Sequence, residues 1–283
     1  MPFGSVSSLL LLVHMTKGGA SPCVQWLFIV LGMLILLFQR CYSAAPRTGP
    51  VPPVFLGHPM DWIDSGGCCL YSASKTFSLI FINPASDGAF FLSIKHTNSG
   101  ITVWTANRDI PIANSDMFEF SKDGDASLTL NGKVIWSTQT GGKNVETMEL
   151  QESGNLVLLN KYGQALWQSF DHPTDTLVSN QSLKVGMNLI SNYGDGNFSS
   201  GMYTLEMQAG NLVLYADYSP PQLYWAMQED VRRTILIEGS PVTATLSDRY
   251  LGMYDRDRTL LTQFIFSNFP MVPGICVAVL GTQ

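Results

Sequence analysis

Three tryptophans recur at near-constant spacing: Trp104, Trp136 and Trp167 lie 32 and 31 residues apart. Each closes a stretch in which apolar and polar residues alternate, "GITVWTANRD", "GKVIWSTQTG" and "GQALWQSFDHP". Related segments, "SKDGDASLTL" and "QESGNLVLLN", precede the second and third. A fixed period of this size marks a fold built from repeated supersecondary units. Each unit is too small to bury its own apolar face, so the units must share one core. An indole buries a large apolar area, which places the three tryptophans at the shared centre.

Short strand candidates alternate with Gly, Asn and Asp turns from Lys75 onwards, as in "TFSLIFI", "NPASDG" and "AFFLSIKH". That pattern predicts an all-β chain. Asn131-Gly132 is a two-residue hairpin signal. No amphipathic helix of useful length is expected after the leader. A second block repeats the first: "AGNLVLY" echoes "SGNLVLL", with Asn211 in the place of Asn155, and Trp225 follows.

The chain has 283 residues, which allows about two domains. Net charge is −6 and no basic cluster occurs. This argues against nucleic acid as a partner and against an anionic membrane surface. An apolar run from Val24 to Phe38 precedes the small residues of "CYSAAP" and reads as a signal peptide over 1–43, with an N-terminal anchor as the alternative. Residues 44–74 are Pro- and Gly-rich at their start and read as an extended entry segment. The first module is expected over 75–177 and the second, less regular and cut short, over 178–283.

Cys68, Cys69 and Cys276 lie beyond the leader. An odd count is not a disulfide scaffold, although one bond between Cys276 and a member of the vicinal pair is an open expectation. Sequons at Asn180 and Asn197 fit a secreted glycoprotein. No metal or cofactor is expected: the cysteines lack C-x-x-C spacing, and the "DRDR" stretch at 255–258 is a charged turn. No catalytic residues are expected either. His172 and Asp175 in "DHPTD" read as a turn-stabilising cluster, and Arg108 and Asp109 as residues that tie down a turn.

The ordered segments "VWTANRDIPI", "LQESGNLVLLN" and "LWQSFDHPTDTLV" resemble the bulb-type lectin ectodomain of plant S-domain (G-type lectin) receptor-like proteins, over about residues 75–270. The resemblance implies a β-prism: three four-stranded antiparallel sheets about a pseudo-threefold axis, with two tandem modules here. It also implies a carbohydrate-binding motif, Q-x-D-x-N-x-V-x-Y, whose alternate residues share one strand face. The match is Gln151, Ser153, Asn155, Val157 and Leu159, in which Ser153 replaces the Asp and Leu159 the Tyr. The second repeat gives Ser121, Asp123, Asp125, Ser127 and Thr129, and the second block Met207, Ala209, Asn211, Val213 and Tyr215. A structural reading stands beside the sugar-binding one: Asn after Gly suits a tight turn.

The implied function is non-catalytic recognition outside the cell, secreted or at the plasma-membrane surface. The implied partners are a mannose-type glycan bound weakly, or an extracellular protein or peptide, with ectodomain pairing into homo- or heterodimers. The alternative is a truncated receptor-like Ser/Thr kinase, because no kinase motif is visible in this sequence.

Overall fold

The computed structural model describes residues 44–265 and 276–281. The expected leader lies outside the described residues. Strands dominate, and the described helical segments are three short 3-10 turns, Pro59–Ser65, Ser169–Asp171 and Met227–Glu229. Among the described residues no helix is long and apolar enough to cross a membrane.

The first module is a three-sided prism. One sheet runs Arg47–Thr48, Cys68–Tyr71, Phe77–Ile82, Phe91–His96 and Thr102–Thr105 in spatial order. The next holds Phe55–Gly57, Phe118–Phe120, Ala126–Leu130 and Lys133–Ser137. The last holds Val145–Leu150, Leu156–Asn160 and Ala165–Gln168. Residues 44–57 do more than lead in. They visit all three sheets, pairing in parallel beside Cys68–Tyr71, bridging Val51 to Met148 and adding Phe55–Gly57 to the edge at Phe118–Phe120. One extended stretch thereby covers one edge of every sheet, where an open strand would otherwise template pairing with another chain.

The tryptophans meet at the axis. Ring centroids lie 5.8, 6.0 and 5.9 Å apart for the Trp104–Trp136, Trp104–Trp167 and Trp136–Trp167 pairs, all edge-to-face. That geometry brings positive ring edges onto negative faces. The local register that delivers each ring is identical. Trp104 opposes Ile94, Trp136 opposes Leu128 and Trp167 opposes Leu158, and a register shift follows each of these positions. A bulge increases local twist, here at the position from which each hairpin turns its indole inward. Asn131 and Gly132 are both left-handed, at φ 52° and 76°, and form the expected tight hairpin between Leu130 and Lys133.

The second module repeats this plan less completely. A four-stranded sheet comprises Asn188–Gly194, Asn197–Gln208, Asn211–Ala216 and Gln222–Ala226. A five-stranded sheet comprises Ser182–Lys184, Thr243–Leu246, Tyr250–Tyr254, Leu260–Ile265 and Arg233–Ile235. Among the described residues the third side is the pair Thr176–Val178 and Val277–Val279. Trp225 opposes Leu214, again with a register shift just beyond, and its ring meets Phe264 at 6.3 Å. Two apolar clusters result. Val178 packs into the first and its neighbour Leu177 into the second, because adjacent strand residues face opposite ways.

The expected disulfide does not form: Cys68, Cys69 and Cys276 are all free thiols. Cys69 is buried in the first cluster with its sulfur against the Leu79 carbonyl, whereas Cys276 packs against the second with its sulfur near the Ser247 carbonyl. Burial raises the Cys69 thiol well above its ordinary pKa and so disfavours the reactive thiolate.

Candidate functional site

In the first module, the five motif residues do not share one strand. Gln151 to Gly154 form a tight turn closed by Gly154 N to Gln151 O (3.0 Å), and the strand begins at Leu156. Gly154 has φ 84°, and a Cβ there would lie 2.8 Å from the Phe77 ring. Gln151 and Leu159 are half-buried, Ser153 is exposed and Val157 is buried. Asn155 is 5 % exposed and committed to the fold. Its Nδ2 donates to Gln168 Oε1 (2.9 Å), and its Oδ1 accepts from Ser169 Oγ (3.2 Å) and Phe170 N (3.1 Å). It ties the turn to the chain just after Trp167.

The equivalent positions do the same work. Asp125 accepts from Ser137 Oγ (2.6 Å), Thr138 Oγ1 (2.8 Å) and Thr140 N (2.9 Å), just after Trp136. Asn211 Oδ1 accepts from Gln228 N (3.1 Å), just after Trp225. This position therefore demands an acceptor for the chain that follows the tryptophan, and either a carboxylate or an amide meets the demand. Burial acts to raise the Asp125 pKa, but the hydrogen bonds from Ser137, Thr140 and Thr138 outweigh it and hold the carboxyl below its usual range. A depressed carboxyl stabilises the fold above the unfolded-state pKa, and that contribution disappears as pH falls through the folded one. Asp125→Asn should therefore flatten the acid limb of the stability curve, as followed by urea unfolding between pH 2 and 6.

The second module holds a polar set that gapless alignment misplaces. Leu150 pairs with Leu156 and Met207 pairs with Leu212, so the two hairpins correspond at those positions. The turn of the second is one residue shorter, "QAGN" against "QESGN". Gln208, not Met207, therefore stands where Gln151 stands. Met207 is fully buried in the second apolar cluster. Gln208 pairs with Asn211, Glu206 with Val213 and Thr204 with Tyr215, which aligns these side chains on the outer sheet face. Gln208 Nε2 donates to Tyr215 OH (3.1 Å) and to Glu206 Oε2 (3.2 Å). The Gln, Asn, Val and Tyr of the motif are thus all present, with Glu206 supplying a carboxylate from the neighbouring strand. The missing signal was the turn length.

The segment "WQSFDHPTDT" carries bonds rather than a reactive site. Gln168 passes the Asn155 contact on to Asp171 Oδ2 (2.8 Å), and Lys184 bridges Asp171 at 2.6 Å. His172 stacks on Trp167 (centroids 5.3 Å, 12°), and its carbonyl accepts from Trp104 Nε1 (2.8 Å). Asp175 is buried and accepts from Asn192 Nδ2 (2.7 Å). Burial raises the Asp175 pKa, and the nearby Arg108 charge opposes that rise.

Arg108 reaches much further than a local turn. Its Nε donates to the Phe198 carbonyl (2.9 Å), Nη1 to the Ile190 carbonyl (3.0 Å), and Nη2 to the Ser191 carbonyl (2.9 Å) and Asn192 Oδ1 (3.0 Å). Asp109 Oδ1 accepts from Ser200 N (2.9 Å), and Phe91 meets Phe198 edge-on at 5.1 Å. The "NRD" stretch thus clasps the first module to the second. Of the two sequon asparagines, both are exposed; Asn180 has φ 66°, and Asn197 Oδ1 accepts from Ser199 N. Among the described residues no group of His, Cys, Asp or Glu is placed to hold a metal ion.

Residues 101–194 match the D-mannose binding lectin family. The G-type lectin S-receptor-like serine/threonine-protein kinase SD2-5 of Arabidopsis thaliana is 35 % identical over 90 % of this chain and 31 % of its own length. EP1-like glycoprotein 1 of Arabidopsis thaliana is 36 % identical over 56 % of this chain and 37 % of its own length. The chain spans about a third of the length of these curated relatives. Among solved structures, the Japanese Marasmius oreades lectin is 19 % identical, covering 44 % of this chain and 95 % of its own at a TM-score of 0.33. Residues 101–194 thus carry a bulb-type lectin domain, and the chain matches the lectin ectodomain of the G-type lectin S-receptor-like kinases and EP1-like glycoproteins.

Proposed function

We propose that this chain is a non-catalytic extracellular recognition module that binds a mannose-type glycan on the outer face of the second module's four-stranded sheet. Gln208 and Tyr215 are the contacts, with Glu206 as the carboxylate acceptor; Asn211 is engaged by Gln228 N and Val213 is buried behind them. The supporting observation is the Gln208–Tyr215 hydrogen bond of 3.1 Å beside Glu206, which poises an amide and a phenol to take adjacent sugar hydroxyls. Gln151, Ser153, Asn155, Val157 and Leu159 form a weaker face, because Asn155 is already saturated within the fold. Asn180 and Asn197 carry N-glycans in this reading, and the chain is secreted or displayed at the cell surface. Asn197 sits at an exposed hairpin tip.

Calorimetric titration with methyl α-mannoside tests this. Tyr215→Phe and Gln208→Ala should each weaken binding about tenfold, the effect of losing one hydrogen bond worth roughly 1.4 kcal/mol. Gln151→Ala should change it less than Gln208→Ala. A mannoside affinity indifferent to Gln208 and Tyr215 moves the site elsewhere, and no mannoside binding at all refutes the glycan assignment.

A further inference from the structure

The second module opens into a cleft of about 300 Å³ between the Gly210–Asn211 turn and the segment from Arg233 to Pro241. Met227 and Met253, both core residues, form its floor. One wall is built by Arg233 and Ile235, alternate residues of the strand Arg233–Ile235, and by Ile237 at the bend beyond its end, whose N–H also reaches the Leu261 carbonyl (3.2 Å). This strand ends the five-stranded sheet and has a strand neighbour, Leu260–Ile265, on one side only among the described residues. The bond from Leu236 N to Leu261 O (2.8 Å) sets the phase of the ladder. Residues 234 and 236 therefore turn their backbone groups toward that neighbour, and Ile235 turns its N–H and C=O to the outer edge. Ile235 and Ile237 are 47 % and 51 % exposed. Glu229 and Glu238 stand at the mouth against a single guanidinium, that of Arg233.

We propose that this cleft receives an extended polypeptide segment of a partner protein. Its backbone pairs with the outer edge at Ile235, one aliphatic or aromatic side chain enters over Met227 and Met253, and an adjacent basic side chain faces Glu229 and Glu238. The volume lies at the lower limit of small-molecule sites, roughly 300–1,000 Å³, and suits one large side chain better than a whole compact ligand. An unpaired edge is the template for strand addition, and pockets beside it read alternate side chains. Unbranched methionines adapt to the group that arrives. The excess of carboxylates over guanidinium selects a basic neighbour. The glycan assignment is not needed for this, since Gln208 and Tyr215 do not line the cleft.

The test is a titration of the whole chain, labelled with 13C-methyl methionine, against five acetylated pentapeptides. Each peptide places Lys beside Leu, Ile, Met, Phe or Tyr in a Thr/Val background. Saturable shifts of the Met227 and Met253 methyl signals are expected with at least one peptide. The Glu229→Lys/Glu238→Lys variant should weaken that binding at least tenfold, and so should N-methylation of alternate peptide nitrogens. Saturating methyl α-mannoside should leave the peptide titration unchanged. Methionine signals that stay still with every peptide overturn the proposal. So does binding indifferent to both charge reversal and N-methylation, and so does competition by the mannoside, which would join the cleft to a sugar site.

Discussion

Trp104→Ala should cost about 3–5 kcal/mol of unfolding free energy, the range for deleting a large buried aromatic. Three effects combine. The ring is almost fully buried and meets both other indoles edge-on. Each aromatic pair adds roughly 0.5–1.5 kcal/mol beyond its burial. Its Nε1 also satisfies the His172 carbonyl, which the substitution leaves without that donor. Trp225→Ala should cost less, because Trp225 is half-buried and its ring partner among the described residues is Phe264. Urea unfolding of both variants checks the ranking. Equal losses at the two positions would mean that the first axis is no more central to stability than the second.

That ranking was partly legible in the sequence. A 31–32-residue spacing of tryptophans can be met only by units that share a centre, and alternation placed each indole on a strand. The all-β class, the second copy and the Asn131-Gly132 hairpin follow from such local signals, whereas the prism followed from the family resemblance. The site was less legible for a definite reason. A motif of alternating residues describes a continuous strand, whereas here Gln151 to Gly154 turn and only Val157 and Leu159 lie on the strand. With the alignment anchored at Asn155 and Asn211, a turn shorter by one residue offsets the positions before it by one, which exchanges the two strand faces. Aligned without a gap, Met207 therefore replaces Gln208, and the motif's Gln appears lost while Asn211, Val213 and Tyr215 are kept. The edge-covering role of residues 44–57 was hidden because a three-fold visit by one extended stretch leaves no periodicity of its own. Arg108 was read as a local residue because its partners lie more than 80 positions away.

Arg108→Ala should uncouple the two modules and destabilise the chain by about 2–3 kcal/mol, less than the roughly 3–5 kcal/mol of breaking a fully buried ion pair because the side chain is half-buried and its bonds run to neutral acceptors. The side chain donates to three backbone carbonyls and one amide oxygen of the segment 190–198. Its removal strands those acceptors and leaves the buried Asp175 without the charge that opposes its desolvation. Arg108→Lys should rescue little, because an ammonium cannot reproduce the planar fork that spans Phe198, Ile190 and Ser191. A second change separates the two contributions. Asp175→Asn in the Arg108→Ala background should recover part of the loss by neutralising the stranded carboxyl. Acid acts in the same direction: a carboxyl whose folded pKa is raised gains stability as pH falls through that raised value, so the single variant should look least impaired at low pH. Calorimetry should show two separated transitions for Arg108→Ala where the parent chain shows one. A single transition of unchanged midpoint would mean that the ring contact of Phe91 with Phe198 and the Asp109–Ser200 bond hold the modules together without the guanidinium.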